Sequence, residues 1–168
     1  MNDFAAVSGL QMSRYHLERL DIRSFTPRDV MALSALRFEL KMGGLPAGAE
    51  LPRMTPLLRS DVEAALSAGA VILVARESID RGIVGMGMLI TYRKWGDTIG
   101  WVEEVATLPG WRRQGISRAI NFDLIERARK KGCKEINLTS SLLRAPARAL
   151  YESLGYVKRS SNIYRLVL

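Results

Sequence analysis

Along the chain the spacing of apolar residues alternates between a period of two and a period near 3.6, and each change marks a new element. The stretch Leu17 to Arg23, LERLDIR, alternates as a strand does. Thr26 to Asp29, TPRD, then supplies a cap, a first-turn proline and a first-turn acid, which predicts a helix to about Lys41. Gly43 to Pro52 reads as a loop, and SDVE at Ser60 to Glu63 opens a second, short helix. Three strand-like runs follow: AVILVARE (Ala70 to Glu77), GIVGMGMLITYR (Gly82 to Arg93) and TIGWVEEVATL (Thr98 to Leu108). The short links SIDR and KWGD between them make this an antiparallel meander. Beyond PGW the period lengthens, with Ile116, Ile120, Leu124 and Ala128 on one stripe, and this helix ends in basic residues with Gly132 as a left-handed cap. KEINLTS (Lys134 to Ser140) is the next strand. Ala147, Leu150, Tyr151 and Leu154 form a second helical stripe stopped by Gly155, and a final strand pair is expected near Val157 and Asn162 to Leu168.

The predicted order is therefore β-α-α-β-β-β-α-β-α-β-β. The strands from Thr98 and Lys134 are joined through a helix, so they should run parallel within an otherwise mostly antiparallel sheet carrying helices on both faces. This is an α+β fold. At 168 residues, without an internal linker, the chain is expected to form one domain over residues 1–168, with 1–14 as a flexible leading segment. Apolar residues make up 48% and charged residues 25%, which predicts an ordinary packed core. The longest apolar run, Ala68 to Ala75, is far short of a membrane span, and the acidic start lacks a secretory n-region, so the expected location is the cytoplasm.

Single copies of cysteine (Cys133) and histidine (His16) exclude an internal disulfide and a Cys/His zinc cluster, and no metal is expected. The net charge of +8 suggests an anionic partner, whether nucleic acid, a phosphorylated cofactor or an acidic membrane surface, with a simple solvated face as the alternative. Nucleic acid is the weaker choice, because no aromatic residues interleave the basic stretches to stack on bases. A phosphorylated cofactor fits better. At the strand-to-helix junction RRQGISR, the unpaired N–H groups of a first helical turn form an anion site, and Gly115 lets a phosphate approach the main chain. Arg112, Arg113 and Arg118 add charge there, and the Ser117 hydroxyl offers one more hydrogen bond. The junction matches neither the P-loop nor the dinucleotide fingerprint.

In this context VEEVATLPGWRRQGISRAI, with RALYESLGY farther on, resembles the GNAT superfamily of acetyl-CoA-dependent N-acyltransferases over roughly Leu17 to Leu168. The resemblance implies a coenzyme A pyrophosphate cradle at Arg112, Arg113, Gln114, Gly115, Ile116, Ser117 and Arg118, with Ser117 where relatives carry glycine or alanine. It also implies a bulged, splayed strand whose backbone at Val105, Ala106 and Thr107 holds the pantetheine arm. Tyr151 corresponds to the family's tyrosine near the thioester sulfur, a proton donor to the departing thiolate. Arg144 and Arg148 stand where many relatives have asparagine. Glu103 corresponds to a glutamate that deprotonates the amine. Glu103 and Glu104, being adjacent in a strand, are expected on opposite faces. Acceptor contacts in the family come from segments matching Arg37 to Pro56 and Tyr92 to Gly96.

The implied reaction is direct transfer of an acetyl group from acetyl-CoA to a primary amine of a small molecule. A binding protein for acyl-CoA or nucleic acid that keeps the fold without turnover is the alternative. The reading expects no membrane partner and leaves a homodimer open.

Overall fold

Residues 14–21, 23–43, 57–164 and 166–167 are described by a computed structural model. Strand β1 (Tyr15–Arg19) leads through helices α1 (Pro27–Met42) and α2 (Arg59–Ser67) to β2 (Val71–Glu77), β3 (Ile83–Lys94) and β4 (Asp97–Thr107). A 3-10 turn at Pro109–Trp111, helix α3 (Ile116–Lys130), strand β5 (Cys133–Leu138) and helix α4 (Ala145–Ser153) follow. The strands form one sheet in the order β1-β2-β3-β4-β5, antiparallel except for the β4–β5 pair. The mixed sheet is thus as the sequence predicts.

Local chemistry explains several boundaries. Strand β1 stops short of Arg23 because the Asp21 carboxylate takes the Arg23 N–H at 2.7 Å and turns the chain. Helix α1 begins at the predicted capping box: Thr26 caps the Asp29 N–H, and Asp29 returns a bond to the Thr26 N–H at 2.8 Å. Helix α2 starts at Arg59, one residue before Ser60, with Asp61 accepting the Leu58 N–H. Gly132 takes the predicted left-handed conformation at φ 71°, and Gly155, the predicted stop after α4, is left-handed too at φ 90°.

Two apolar clusters cover the two faces of the sheet. One joins Leu33 and Leu36 of α1 and Val62 of α2 to Val74, Met86 and Ala106. The other joins the predicted α3 stripe, Ile116, Ile120, Leu124 and Ala128, to Leu73, Leu89 and Val102. Helix α3 lies so close to β3 that a Cβ at Gly87 would stand 2.6 Å from the Ile120 side chain.

The expected last strand pair is a point of difference. Among the described residues after Ser153 no strand forms, and Val157, Ile163, Tyr164, Leu166 and Val167 are exposed. Alternating apolar residues make a strand only when another strand completes the hydrogen-bond ladder, and none meets them here. The leading segment before Arg14 and the loop from residue 44 to Pro52 lie outside the described residues.

Candidate active site

The sheet opens on one side of β4. Its parallel ladder with β5 ends at the pair Val102–Leu138, whereas β4 continues to Thr107, so the backbone of residues 103–107 has no β5 partner. On the other side β4 stays paired with β3 but is bulged: Met88 pairs with Glu103 and Met86 with Ala106, so Glu104 and Val105 together oppose Gly87. Glu104 takes φ 55°, a left-handed conformation uncommon for a side-chain-bearing residue and a form of strain that clusters at functional sites.

The bulge corrects the expectation for the two glutamates. Val102 and Val105 pack on the α3 side of the sheet. Glu104 reaches α1, with Oε2 3.7 Å from Arg37 Nε. Glu103 is paired with Met88, which packs against the α1-side cluster. The extra residue interrupts the strand's alternation, so both carboxylates lie on the α1 side. Their partners still differ. Glu103 accepts the Trp101 indole N–H, while Glu104 Oε2 is buried without a hydrogen bond.

Beyond β4 the chain enters the basic junction. Gly115 is the N-cap of α3 at φ 79°, and no side chain caps this helix, so its first-turn N–H groups face outward unclaimed by a cap. A Cβ at Gly115 would meet nothing nearer than the Tyr15 hydroxyl at 3.9 Å. The space before the glycine is open, as a cradle for a phosphate requires. The side chains around it divide differently from expectation. Arg112 donates to the Thr107 carbonyl at 3.3 Å and forms an ion pair with Glu39 of α1 at 2.9 Å. The Ser117 hydroxyl is spent on Thr107 at 2.8 Å, tying strand to helix. Gln114 donates to the Gly110 carbonyl, Arg113 is exposed at φ 64°, and Arg118 donates to Ser153 of α4 at 2.9 Å. Fully buried Asn121, not singled out in the sequence, donates to the Ser117 carbonyl at 2.8 Å and braces this first turn.

Helix α4 is tied to α1 and α3 near its two ends. Its N-cap residue, Arg144, donates from Nη2 to the Leu40 carbonyl of α1 at 2.5 Å, while Ser153 near its other end meets Arg118 of α3. Tyr151 lies between these anchors, edge-on to Tyr156 at 5.8 Å between ring centroids. Burial pushes the Tyr151 phenol up; Arg144 pulls it back, and Glu103 adds to the rise. The two predicted catalytic residues are thus brought within electrostatic reach of each other. Burial also raises Tyr156, to about 12.

A polar concavity of about 430 Å³ lies by β1 and the start of α1, lined by Glu18, Asp29, Arg28, Arg76 and Arg81 among others. Its carboxylates are already engaged: Arg76 binds Asp29 at 2.6 Å and also Glu18. Burial tends to raise Asp29, but hydrogen bonds from Arg76 and Thr26 outweigh it and hold the carboxyl below its usual range. This network anchors α1 to the sheet. His16 on β1 and Cys133 on β5 sit on opposite edges of the sheet, so they form no catalytic pair. Among the described residues no cluster of His, Cys, Asp or Glu could hold a metal ion, and no helix is long and apolar enough to cross a membrane.

A bulged strand splays from its parallel neighbour and leads through a short turn to a basic helix start without a side-chain cap. The sequence matches the acetyltransferase (GNAT) family over residues 46–156, and the chain belongs to that family. It is an acyltransferase of the kind that acetylates amines from acetyl-CoA, the donor the family uses. Glucosamine 6-phosphate N-acetyltransferase of Trypanosoma brucei brucei is 29% identical over 140 residues, covering 82% of this chain and 88% of that protein. The crystal structure of an acetyltransferase of Trypanosoma brucei is similar at a TM-score of 0.69 and 26% identity, covering 92% of this chain and 99% of that one. Glucosamine-6-phosphate N-acetyltransferase of Arabidopsis thaliana shares the fold at a TM-score of 0.68 and 16% identity, over 90% and 97% of the two chains.

Proposed function

We propose that this protein binds acetyl-CoA along the splay and transfers the acetyl group to the primary amine of a small anionic molecule, an amino-sugar phosphate being the first to test. The observation that carries this reading is that the β4 backbone at residues 103–107, free on its β5 side, leads on to the uncapped start of α3 at Gly115. The N–H groups of Ile116, Ser117 and Arg118 are then the pyrophosphate donors, with Arg112 and Arg113 adding charge, and Val105, Ala106 and Thr107 hold the pantetheine amides as an added strand would. Glu103 takes the proton from the attacking ammonium, directly or through one water, and Tyr151 gives a proton to the departing sulfur. The electrostatic link between Glu103 and Tyr151 across the splay supports this division of roles. The anionic acceptor is supported by the +8 charge and by the named activity of the trypanosomal relative.

Thermal unfolding with and without ligand is the first experiment. Acetyl-CoA should protect the protein, by about 2.7 kcal/mol at one hundred times its Kd, whereas RNA should not. Glucosamine 6-phosphate should then elicit thiol release and an acetylated product. Protection by RNA alone would return the reading to a nucleic-acid-binding protein.

A further inference from the structure

Trp101 stands two residues before Glu103 on β4, and its indole N–H donates to Glu103 Oε1. The two side chains meet because the strand is regular here. Trp101 opposes Ile90 and Glu103 opposes Met88 on β3, an unbroken antiparallel register that puts the two side chains on one face; the bulge begins only after Glu103. Trp101 is also paired with Asn137 of β5, one rung before the parallel ladder ends at Val102–Leu138. Its backbone is therefore held from both sides, whereas that of Glu103 has no β5 neighbour. The proposed base stands on the freer position, and among the described residues the indole is the only hydrogen-bond partner of its carboxylate. The chemistry of the donor matters. An indole N–H only donates and carries no charge, so it fixes a carboxylate oxygen without neutralising it or taking up the substrate's proton. Glu104 has different surroundings, with Arg37 Nε 3.7 Å from its Oε2, where a cation competes with an incoming ammonium.

We infer that Trp101 is a positioning residue for the base: it holds Glu103 Oε1 and so assigns the amine proton to Oε2. The inference rests on the proposed role of Glu103. In that step an N–H bond of the substrate ammonium breaks and its electron pair stays on nitrogen, while an O–H bond forms at Oε2. The ammonium becomes a neutral amine and the carboxylate a neutral acid, whose Oε1, now the carbonyl oxygen, still accepts the indole N–H. The tie therefore survives the transfer, and the proton passes on to solvent from Oε2. Orientation of this kind changes rate rather than cofactor affinity, because it aims the base and leaves the cradle at Gly115 untouched.

The test uses acetyl-CoA with glucosamine 6-phosphate as acceptor, both saturating, and wild type, Trp101→Phe, Glu103→Gln and the double variant. Trp101→Phe keeps an aromatic ring and removes the N–H. It should lower kcat about tenfold at neutral pH, leave the KM for acetyl-CoA within about threefold, and lose less as pH rises and free amine accumulates. In the Glu103→Gln background it should cost nothing further. A second readout stands without turnover: the proton NMR resonance of the Trp101 indole N–H, assigned by its loss in Trp101→Phe, should move upfield in Glu103→Gln, while that of exposed Trp95 stays in place. An unchanged Trp101 resonance, a pH-independent loss, a loss confined to KM, or an equal loss in both backgrounds would overturn the inference. So would Trp101→Phe at full kcat beside an impaired Glu103→Gln. Glu103→Gln at full kcat would instead remove the base itself, a result distinguishable because it appears in that single variant. If Trp101→Phe melts well below wild type, replacement of Trp101 by β-(3-benzothienyl)alanine, which keeps the indole's shape without its N–H, takes its place under the same expectations.

Discussion

Gly115 and Gly87 show two different reasons for a glycine. At Gly115 the backbone is left-handed and the space beyond it is open, so the demand comes from the conformation and from the approaching phosphate. Gly115→Val should weaken acetyl-CoA binding by at least about tenfold while costing roughly 1–3 kcal/mol in stability from the positive φ. Isothermal calorimetry on the folded variant checks it, and normal affinity would refute the cradle. At Gly87 the demand is packing: Gly87→Ala should cost about 1–3 kcal/mol by pushing on Ile120. Denaturant unfolding measures that cost, and an unchanged midpoint would contradict the close approach of α3. The start of α3 and its glycine were legible at this scale from the change of period and the RRQGIS run, whereas the cradle reading came from the resemblance and not from the bare pattern, which an ordinary basic helix start also satisfies. The engagement of the junction's side chains was not legible. Glu39 meets Arg112 across a long stretch of chain, and Thr107 competes for Ser117, facts that only the folded arrangement creates.

Most elements were readable because their signals are local. The TPRD box, the 3.6-residue stripe of α3 and the glycine stops need no information beyond a few neighbouring residues. The β4 bulge has no such signal: Glu104 adopts a left-handed φ without being glycine or asparagine, and only the pairing with β3 shows that two residues oppose one. Strict alternation therefore misplaced one of the two glutamates. The last strand pair failed for the complementary reason, since periodicity cannot supply a pairing partner.

The anchoring of α1 also depends on a distant residue, and its pH dependence follows. Hydrogen bonds from Arg76 and Thr26 hold the Asp29 carboxyl below the usual aspartate range, so its contribution is present above the unfolded pKa and is lost as pH falls through the lower, folded one. The melting temperature should therefore drop as pH goes below about 4. Asp29→Asn should destabilise the protein at neutral pH by about 3 kcal/mol, because Arg76 loses a buried partner, and should lack this part of the acid response. Melting curves of both proteins across that range decide it, and parallel acid profiles would contradict the assignment.

For the molecule as a whole, the charge of +8 acts at long range on any acceptor. Small amines carrying phosphate or carboxylate should be acetylated faster than spermidine or lysine-rich peptides, with the advantage shrinking as salt is added. Highest turnover with polyamines at low salt would reject that preference. The central claim is that the splay of β4 is a working acetyl-transfer site with Glu103, not Glu104, as the base. Its most direct test is the pH–rate profile of amine-dependent thiol release from acetyl-CoA by wild type, Glu103→Gln and Glu104→Gln. Glu103→Gln should lose roughly 10²-fold at neutral pH and recover part of it as pH rises and free amine accumulates, while Glu104→Gln stays within a few-fold of wild type. Equal, pH-independent losses in the two variants would contradict the account.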